Sequence, residues 1–190
     1  MTRAQITELL QPWIGRIHDE TLREKVITCW ETALGRSGYS TVADLDEMPF
    51  TLLADTRGVN FLEHTLAVTA GAVGLAQAQG SHYRQMPYEV NMDRLIAGGL
   101  LHDVGKILEI EPDGKGGHRK SRNGCCMRHP ISGAALASEA GMPEEVINCI
   151  ACHAKEGEGR PQVIETVLIH QADYATFDPL VMMAKGILIQ

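Results

Sequence analysis

The stretch L-I-A-G-G-L-L-H-D-V-G-K, residues 95–106, is apolar until an adjacent histidine and aspartate interrupt it. Asn91 and Asp93 precede it and are typical of the first turn of a helix, so we predict a helix that begins here and continues to the end of the stretch. Burying His102 and Asp103 in apolar surroundings without a partner would be costly. Because imidazole and carboxylate groups both coordinate metal ions, a bound metal would remove that cost. The stretch therefore predicts a metal-binding pair on an apolar helix.

Helical patterns recur along the rest of the chain, where capping residues and apolar spacing predict further helices. Their predicted ranges are 3–11, 20–35, 60–79, 130–141, 143–153 and 164–177. The glycine-rich segment 112–124 is predicted to be a long loop without regular structure, of a kind that is often functional. Since no repeat or low-complexity linker divides the chain, we predict a single all-α unit.

The composition excludes several classes of protein. Of the 190 residues, 44% are apolar, as in an ordinary globular domain, and the formal net charge of -7 argues against binding to nucleic acid polymers. The N-terminus has no apolar signal core and no apolar stretch is long enough to span a bilayer, so we expect a cytoplasmic protein without membrane association. The five cysteines are then expected to be reduced thiols. The sequence indicates no oligomeric state.

One segment departs from the acidic balance. Between Gly114 and Ser138 there is no Asp or Glu, although this segment holds five of the 17 Lys and Arg residues. These five are Lys115, Arg119, Lys120, Arg122 and Arg128. A local basic segment in an acidic protein is typical of binding to a small anion, and a solvated loop is the equally open alternative.

Further histidine and aspartate residues fall on separate predicted helices. They are His64, His129, His153 and Asp173. Taken singly, each is typical of a core or surface residue. Together with the His–Asp pair, they place a metal-ligating side chain on every major helix after residue 60. Mixed histidine and carboxylate ligands suit iron, manganese, zinc or nickel rather than calcium.

The order His64, His102–Asp103 and Asp173 resembles the H…HD…D signature of the HD superfamily of metal-dependent phosphohydrolases. The match covers roughly residues 55–178, and H-D-V-G-K resembles the form found in several branches of that superfamily. The resemblance implies an all-α helical bundle. It further implies an N-terminal helical extension of residues 1–54, packed on an HD domain of residues 55–190.

His129 and His153 resemble the additional ligands of the branch that binds two metal ions. In that branch, Asp103 would bridge the ions. The resemblance implies a first ion held by His64, His102, Asp103 and Asp173, and a second held by Asp103, His129 and His153. The expected cofactors are two divalent or transition-metal ions, with iron foremost and manganese, zinc, nickel or magnesium as alternatives.

Two branches of this superfamily carry such a site. The HD-GYP phosphodiesterases have two adjacent histidines, an acidic residue and G-x-G-Y-P, which G-E-G-R-P at residues 157–161 resembles. Here Cys152 replaces the first histidine, Ala154 replaces the acid, and the segment is shorter by one residue. The di-iron oxygenases similar to inositol oxygenase use the same six ligands and also carry a lysine after the HD pair. Lys106 therefore does not discriminate between hydrolase and oxygenase.

The resemblance implies an enzyme, with hydrolysis as the favoured reaction. A phosphohydrolase or phosphodiesterase would act on a nucleotide or other small phosphate ester through a water activated by two metal ions. Asp103 and Lys106 are the candidate catalytic residues, and the candidate substrate-binding residues are Arg119, Lys120, Arg122 and Arg128. The alternative is a mixed-valent di-iron oxygenase that acts on a small phosphonate or polyol-like anion. A non-catalytic sensor domain is a third hypothesis.

The segment C-I-A-C-H, residues 149–153, spells the attachment motif of haem c. Such attachment normally needs export, for which the N-terminus offers no signal, so we predict no haem. We interpret Cys149 and Cys152 as small apolar helix residues, with Cys152 a candidate to line the metal pocket. His153 remains a predicted ligand of the second metal. His170, three residues before Asp173, is a competing candidate ligand.

Overall fold

The structure is a computed structural model that describes residues 1–157 and 163–189, and it is almost entirely helical. Its α-helices are α1 (Arg3–Leu9), α2 (Glu20–Gly35), α3 (Val42–Glu47), α4 (Phe61–His82), α5 (Met92–Leu101), α6 (Lys106–Glu109), α7 (Arg122–Cys126), α8 (His129–Glu139), α9 (Glu144–Cys152) and α10 (Ile164–Ala184). Short 3-10 helices lie at Ile14–Arg16 and Lys155–Gly157. This confirms the predicted all-α class. None of the helices in these ranges is both long enough and apolar enough to cross a membrane.

The boundaries of two helices, α5 and α10, differ most from the prediction. The helix of the opening stretch, α5, ends at Leu101, and Lys106 begins a separate short helix. The two HD residues therefore lie in the turn between two helices. At the C-terminal end, α10 continues through Pro179 to Ala184. Proline is tolerated there because the carbonyl it leaves without a donor belongs to Ala175, which is exposed to water.

The prediction of an irregular loop at residues 112–124 was wrong. Strands β1 (Ile110–Pro112) and β2 (His118–Lys120) form an antiparallel hairpin that pairs Ile110 with Lys120, and α7 follows it. In the hairpin turn Gly114 and Gly116 adopt φ values of 74° and 86°, which glycine allows at little cost. The Asp113 carboxylate also accepts hydrogen bonds from two backbone N–H groups of the turn. Glycine here builds a tight turn rather than a loop.

Helix α5 lies at the centre of the bundle and packs against α2, α4, α9 and α10. The glycine pair in the opening stretch permits this close packing. A Cβ atom added to Gly98 would lie 2.8 Å from Ile169 Cδ1, and one added to Gly99 would lie 2.7 Å from Thr69 Oγ1. The Cβ atom on Gly98 would also lie 2.9 Å from the Cys149 Cβ atom, and the one on Gly99 would lie 3.1 Å from the Thr69 Cα atom. Glycine at these two positions therefore lets α9 and α4 approach α5 closely. These helices consequently meet at the C-terminal end of α5.

The first 54 residues share the hydrophobic core with the rest of the chain. Leu10, Ile14 and Ile17 are fully buried in the same apolar cluster as Leu100. The Trp30 indole Nε1 also donates a hydrogen bond to the Leu100 carbonyl, at 3.1 Å. The N-terminal helices therefore support the helix that leads to the His–Asp pair.

Candidate metal centre

The six residues predicted as metal ligands come together at the C-terminal end of α5. They lie in α4 (His64), directly after α5 (His102 and Asp103), at the start of α8 (His129), directly after α9 (His153) and in α10 (Asp173). The four histidines and Asp103 are buried, and the side chain of Asp173 is 14% exposed. The packing of five helices thus collects four imidazoles and two carboxylates in the interior of the bundle.

Asp103 stands at the centre of this group, and its two carboxylate oxygens face different histidines. Oδ2 lies 3.3 Å from Nε2 of His64 and 3.3 Å from Nε2 of His102. Oδ1 lies 3.2 Å from Nε2 of His129 and 3.4 Å from Nε2 of His153. One carboxylate thereby divides four imidazoles into two pairs.

The division defines two overlapping clusters whose ligand atoms lie within 4.8 Å of one another. The four-residue cluster consists of His64, His102, Asp103 and Asp173. The three-residue cluster consists of Asp103, His129 and His153. Asp173 joins the first cluster through its Oδ1 atom, 3.1 Å from Nε2 of His64. Each cluster could hold a metal ion, and Asp103 belongs to both.

Backbone carbonyls determine the tautomers of two of the histidines. Nδ1 of His102 lies 2.7 Å from the Gly99 carbonyl, and Nδ1 of His153 lies 2.8 Å from the Ile150 carbonyl. Because a carbonyl oxygen only accepts hydrogen bonds, both Nδ1 atoms carry the proton. In the neutral ring, the Nε2 lone pair is then directed at Asp103 and available to a metal.

Side chains determine the other two tautomers. Thr176 donates its hydroxyl proton to the Asp173 carbonyl at 2.8 Å, so it can only accept from Nδ1 of His64, 3.4 Å away. Nδ1 of His129 lies 3.0 Å from the Glu109 carboxylate. These contacts also favour a proton on Nδ1, which leaves all four Nε2 atoms free. Outer partners of this kind are characteristic of histidines that bind metals.

Four of the inward-facing atoms have no hydrogen-bond donor to satisfy them. Within residues 1–157 and 163–189, Nε2 of His64, His102 and His153 and Oδ1 of Asp103 are buried without a hydrogen-bond partner. At 3.1–3.4 Å these lone pairs lie beside other lone pairs, which is unfavourable unless a cation lies among them. The donor set, its burial and its tautomers therefore fit divalent metal ions.

The ionisation states agree with cation binding. Burial acts to raise the pKa of Asp103, but the ammonium of Lys106, whose Nζ lies 2.6 Å from Oδ2, outweighs it and holds the pKa well below its usual range. Burial lowers the pKa of His129 to about 4. At neutral pH the carboxylate is therefore ionised and this imidazole neutral, which are the forms that bind a metal.

A pocket of about 540 Å³ opens onto both clusters, through Asp173 of one and His129 of the other. Its lining includes the candidate catalytic residue Lys106 and two of the candidate substrate-binding residues, Lys120 and Arg128. The remaining lining residues are Phe50, Thr51, Leu52, Leu53, Glu109, Ile110, Ala154, Lys155, Tyr174 and Phe177. The pocket thus combines cations and apolar side chains above the candidate metal ligands.

The other two predicted substrate-binding residues do not line this pocket. Arg119 pairs with Glu111 at 2.9 Å on the exposed side of the hairpin. Arg122 lines a separate cavity of about 320 Å³. Alternate residues of a strand face opposite sides, so Lys120 and Arg119 point in different directions.

Glu109 is a site residue that the sequence reasoning missed. Its Oε2 atom accepts hydrogen bonds from the backbone N–H of His129 at 2.6 Å and from the ring Nδ1 at 3.0 Å. Its Oε1 atom lies 3.2 Å from Nε of Arg128 and 3.9 Å from Nζ of Lys120. Burial acts to raise its pKa, but the hydrogen bond from His129 outweighs this and the pKa is lowered. An acidic residue between the apolar Leu108 and Ile110 was the signal that could have found it.

The apolar side of the pocket was also missed. Phe50 stacks on the His64 imidazole with ring centroids 4.1 Å apart, and Phe177 meets Phe50 edge-on. Leu52 and Leu53 are exposed at the same pocket, as is Lys155. These residues come from three distant segments, so no local pattern could have grouped them.

The residues with unassigned roles have clear positions. Cys152 is half-buried, its Sγ accepts a hydrogen bond from Asn148 Nδ2 at 3.6 Å, and it is not among the described residues that line the pocket. Nδ1 of His170 lies 2.6 Å from the His153 carbonyl, and His170 belongs to neither cluster. Of the segment 157–161, which resembles G-x-G-Y-P, only Gly157 belongs to the described residues.

The cysteine of the haem-like motif that precedes Cys152 lies in the core. Cys149 is fully buried, and burial raises the pKa of its thiol to about 12. The Thr166 hydroxyl lies 3.4 Å from its Sγ atom. Cys149 is therefore a neutral, packed side chain, as interpreted from the sequence, while His153 lies in the three-residue cluster.

Comparisons with known proteins agree with this geometry. A family model described as HD domain matches residues 61–178. The chain is 32% identical over 166 residues to a dihydroneopterin 2',3'-cyclic phosphate phosphodiesterase of Methanocaldococcus jannaschii, covering 84% of this chain and 64% of that protein. It is 34% identical over 116 residues to ribonuclease Y of Thermotoga maritima, covering 61% of this chain and 18% of that protein.

The chain is also 30% identical over 156 residues to a second ribonuclease Y, from Finegoldia magna. This alignment covers 82% of this chain and 25% of that protein. The chain thus spans 64% of the archaeal relative and a quarter or less of the two ribonucleases. No solved structure shows significant similarity to the chain.

Proposed function

The chain belongs to the HD domain family, and from that premise we propose that it is a metal-dependent phosphohydrolase that acts on a nucleotide or other small phosphate ester. The observation that carries the proposal is the position of Asp103. Its carboxylate is shared by two clusters in which histidine Nε2 atoms face it, directly beneath a pocket lined by cations. Pairs of metal ions bridged by one carboxylate are suited to displacement at phosphorus.

The proposed ligands of the first ion are the four-residue cluster, and those of the second ion are the three-residue cluster. Two divalent ions bound there would supply a nucleophilic water near neutral pH and would stabilise the charge that develops on the phosphoryl oxygens. Histidine-rich sites with carboxylates favour transition metals, so iron is the first candidate, with manganese, zinc, nickel and magnesium as alternatives.

The chain's own cations orient the substrate in this proposal. Lys120 and Arg128 both line the pocket and both approach the Glu109 carboxylate, which also holds His129. A phosphate group beside them would therefore lie next to the three-residue cluster. Lys106 lies on the other side of Asp103, where its ammonium neutralises Oδ2 and contributes positive charge to the pocket.

The pocket favours a small ester over a polymer. Its volume of about 540 Å³ is in the range of small-molecule sites. The net charge of -7 opposes general binding to a polyanion. The relatives carry names of two kinds, a cyclic phosphate phosphodiesterase and a ribonuclease, and both names denote cleavage of a phosphodiester bond. We therefore extend the proposal to phosphodiesters of small molecules as the first substrates to test.

We further propose that residues 1–54 form a helical extension of an HD domain at residues 55–190, and that the protein acts in the cytoplasm. The hydrogen bond from Trp30 to Leu100 supports the packing of the extension on the domain. Phe50 and the following residues up to Leu53 line the pocket, so the extension would contribute to substrate binding as well as to stability.

The test is a panel of cyclic and linear phosphodiesters, nucleotides and sugar phosphates, assayed with protein of known metal content. We expect metal-dependent hydrolysis of at least one phosphate ester and its loss in Asp103→Asn. An exposed aspartate supplies the control, since Asp55→Asn changes a carboxylate that pairs with Arg57 at the surface. No hydrolysis across the panel, combined with oxygen uptake on phosphonates or polyols and a di-iron spectrum, would instead establish an oxygenase.

A further inference from the structure

We propose that His170 is a positioning residue that holds His153 in the three-residue cluster through the His153 backbone, rather than a ligand. The inference rests on the proposed role of His153 in metal binding. It concerns the one described histidine close to the site that belongs to neither cluster.

The contact is a short hydrogen bond at the end of a helix. Nδ1 of His170 donates to the His153 carbonyl at 2.6 Å. Helix α9 ends at Cys152, so the His153 carbonyl belongs to the last turn, where carbonyls lack partners within the helix. Because His153 is fully buried, water cannot satisfy this oxygen, and His170 does so instead.

His153 is consequently held at two points. Its ring is fixed by the hydrogen bond from Nδ1 to the Ile150 carbonyl within the same turn. That bond orients the ring relative to α9 but does not fix the end of α9 in the bundle. The bond from His170 supplies this second restraint, because it joins the end of α9 to α10.

The same helix also serves the other cluster and the pocket. Asp173 of the four-residue cluster lies three positions after His170 in α10, so one helix restrains both clusters. The His170 ring packs on Tyr174 with centroids 4.4 Å apart, and Tyr174 lines the pocket. His170 therefore lies between a pocket wall and a ligand of the second ion, and it sets the position of the three-residue cluster relative to the four-residue cluster.

The experiment compares stepwise metal affinities of the full chain by competition with a chelator. We assign the more weakly bound ion to the three-residue cluster, which has fewer protein ligands than the four-residue cluster. In His170→Ala, we expect the affinity for this weaker ion to fall about 10–100-fold, as when an outer partner of a ligand is removed, while the affinity for the stronger ion changes by less than about 3-fold. His170→Asn should restore the weaker affinity to within about 3-fold, because its amide nitrogen is attached to Cγ as Nδ1 is.

His82→Ala is the matched control. His82 also places Nδ1 against a backbone carbonyl, that of Ala78 at 3.0 Å, but lies at the exposed end of α4 away from the site. It should leave both affinities unchanged. Circular dichroism and thermal unfolding of each variant without metal would detect a general loss of structure.

Three results would overturn the inference. They are an unchanged weaker affinity in His170→Ala, an equal loss of both ions, and a failure of His170→Asn to restore what His170→Ala loses. These outcomes differ from failure of the proposed function, which is shown by a wild-type chain that binds fewer than two ions or hydrolyses no phosphate ester.

Discussion

The two clusters share Asp103 but are built in different ways. The four-residue cluster takes His64 and Asp173 from within α4 and α10, the two longest helices of the described chain, which pack against each other and against α5. The three-residue cluster takes His129 from the first residue of α8 and His153 from the residue after α9. The four-residue cluster thus takes two ligands from within long packed helices and His102 from the end of α5, whereas both histidines of the three-residue cluster lie at the ends of short helices.

This difference explains the outer hydrogen bonds. Helix ends have unsatisfied backbone groups, and in the three-residue cluster Glu109 accepts from the His129 N–H while His170 donates to the His153 carbonyl. In the four-residue cluster, the Gly99 carbonyl and the Thr176 hydroxyl hold the rings of His102 and His64, and close helix packing at Gly98 and Gly99 fixes the helices that carry the ligands. We therefore expect the three-residue cluster to bind its ion more weakly and to be more sensitive to single polar substitutions.

The largest effect is expected at the residue common to both clusters. Asp103→Asn removes the carboxylate charge that faces all four imidazoles, so both ions should be lost and phosphodiester hydrolysis should fall by at least about 10³-fold. Elemental analysis and the hydrolysis assay would measure this, with Asp55→Asn as the control. Retention of both ions would contradict the shared role of Asp103.

Removing one histidine from each cluster distinguishes the two. His153→Ala should release the weaker ion and leave the affinity for the stronger ion unchanged. His64→Ala should instead lower the affinity for the stronger ion, and the total metal content should fall to about one ion per chain. Stepwise titration with chelator competition measures both constants. If the two variants behave identically, the clusters are not separate sites.

A smaller effect is expected when an outer partner is changed. Glu109→Gln keeps the size of the side chain but removes the charge that supports His129, Arg128 and Lys120, so the affinity for the weaker ion should fall about 10–100-fold. Glu111→Gln is the matched control, since that carboxylate pairs with Arg119 on the exposed side of the hairpin. Equal effects of the two substitutions would argue against a role for Glu109 at the metal centre.

The smallest effects concern substrate binding. Lys120→Ala and Arg128→Ala should each raise KM about 10-fold, which corresponds to one lost charged hydrogen bond, with metal content unchanged. Arg119→Ala and Arg122→Ala should change KM by less than about 2-fold, because neither residue lines the pocket. Steady-state kinetics would separate the two pairs, and a large KM effect of Arg119→Ala would place the substrate on the other side of the hairpin.

The sequence predicted the cluster residues better than their surroundings. His102 and Asp103 were detectable because an apolar stretch makes buried polar residues conspicuous, and His64, His129, His153 and Asp173 follow a family spacing along the chain. Their meeting in the structure agrees with that prediction, although their role as ligands remains a proposal. The all-α class was likewise predictable from helical periodicity.

The rest depended on tertiary structure. The side of the pocket formed by Phe50 and Phe177 joins segments more than a hundred residues apart, and no local pattern connects them. The hairpin after α6 was missed because its glycines were interpreted as a loop rather than as a tight turn. The direction of Arg119 and Lys120 followed from that hairpin and could not be predicted without it.

The central claim is that Asp103 bridges two metal ions, one in each cluster. Its most direct test is anomalous X-ray diffraction from crystals of the chain loaded with manganese or iron. We predict two anomalous peaks about 3.5–4 Å apart, one beside Oδ2 of Asp103 with His64 and His102, the other beside Oδ1 with His129 and His153. A single peak, or two peaks that do not both contact Asp103, would contradict the account.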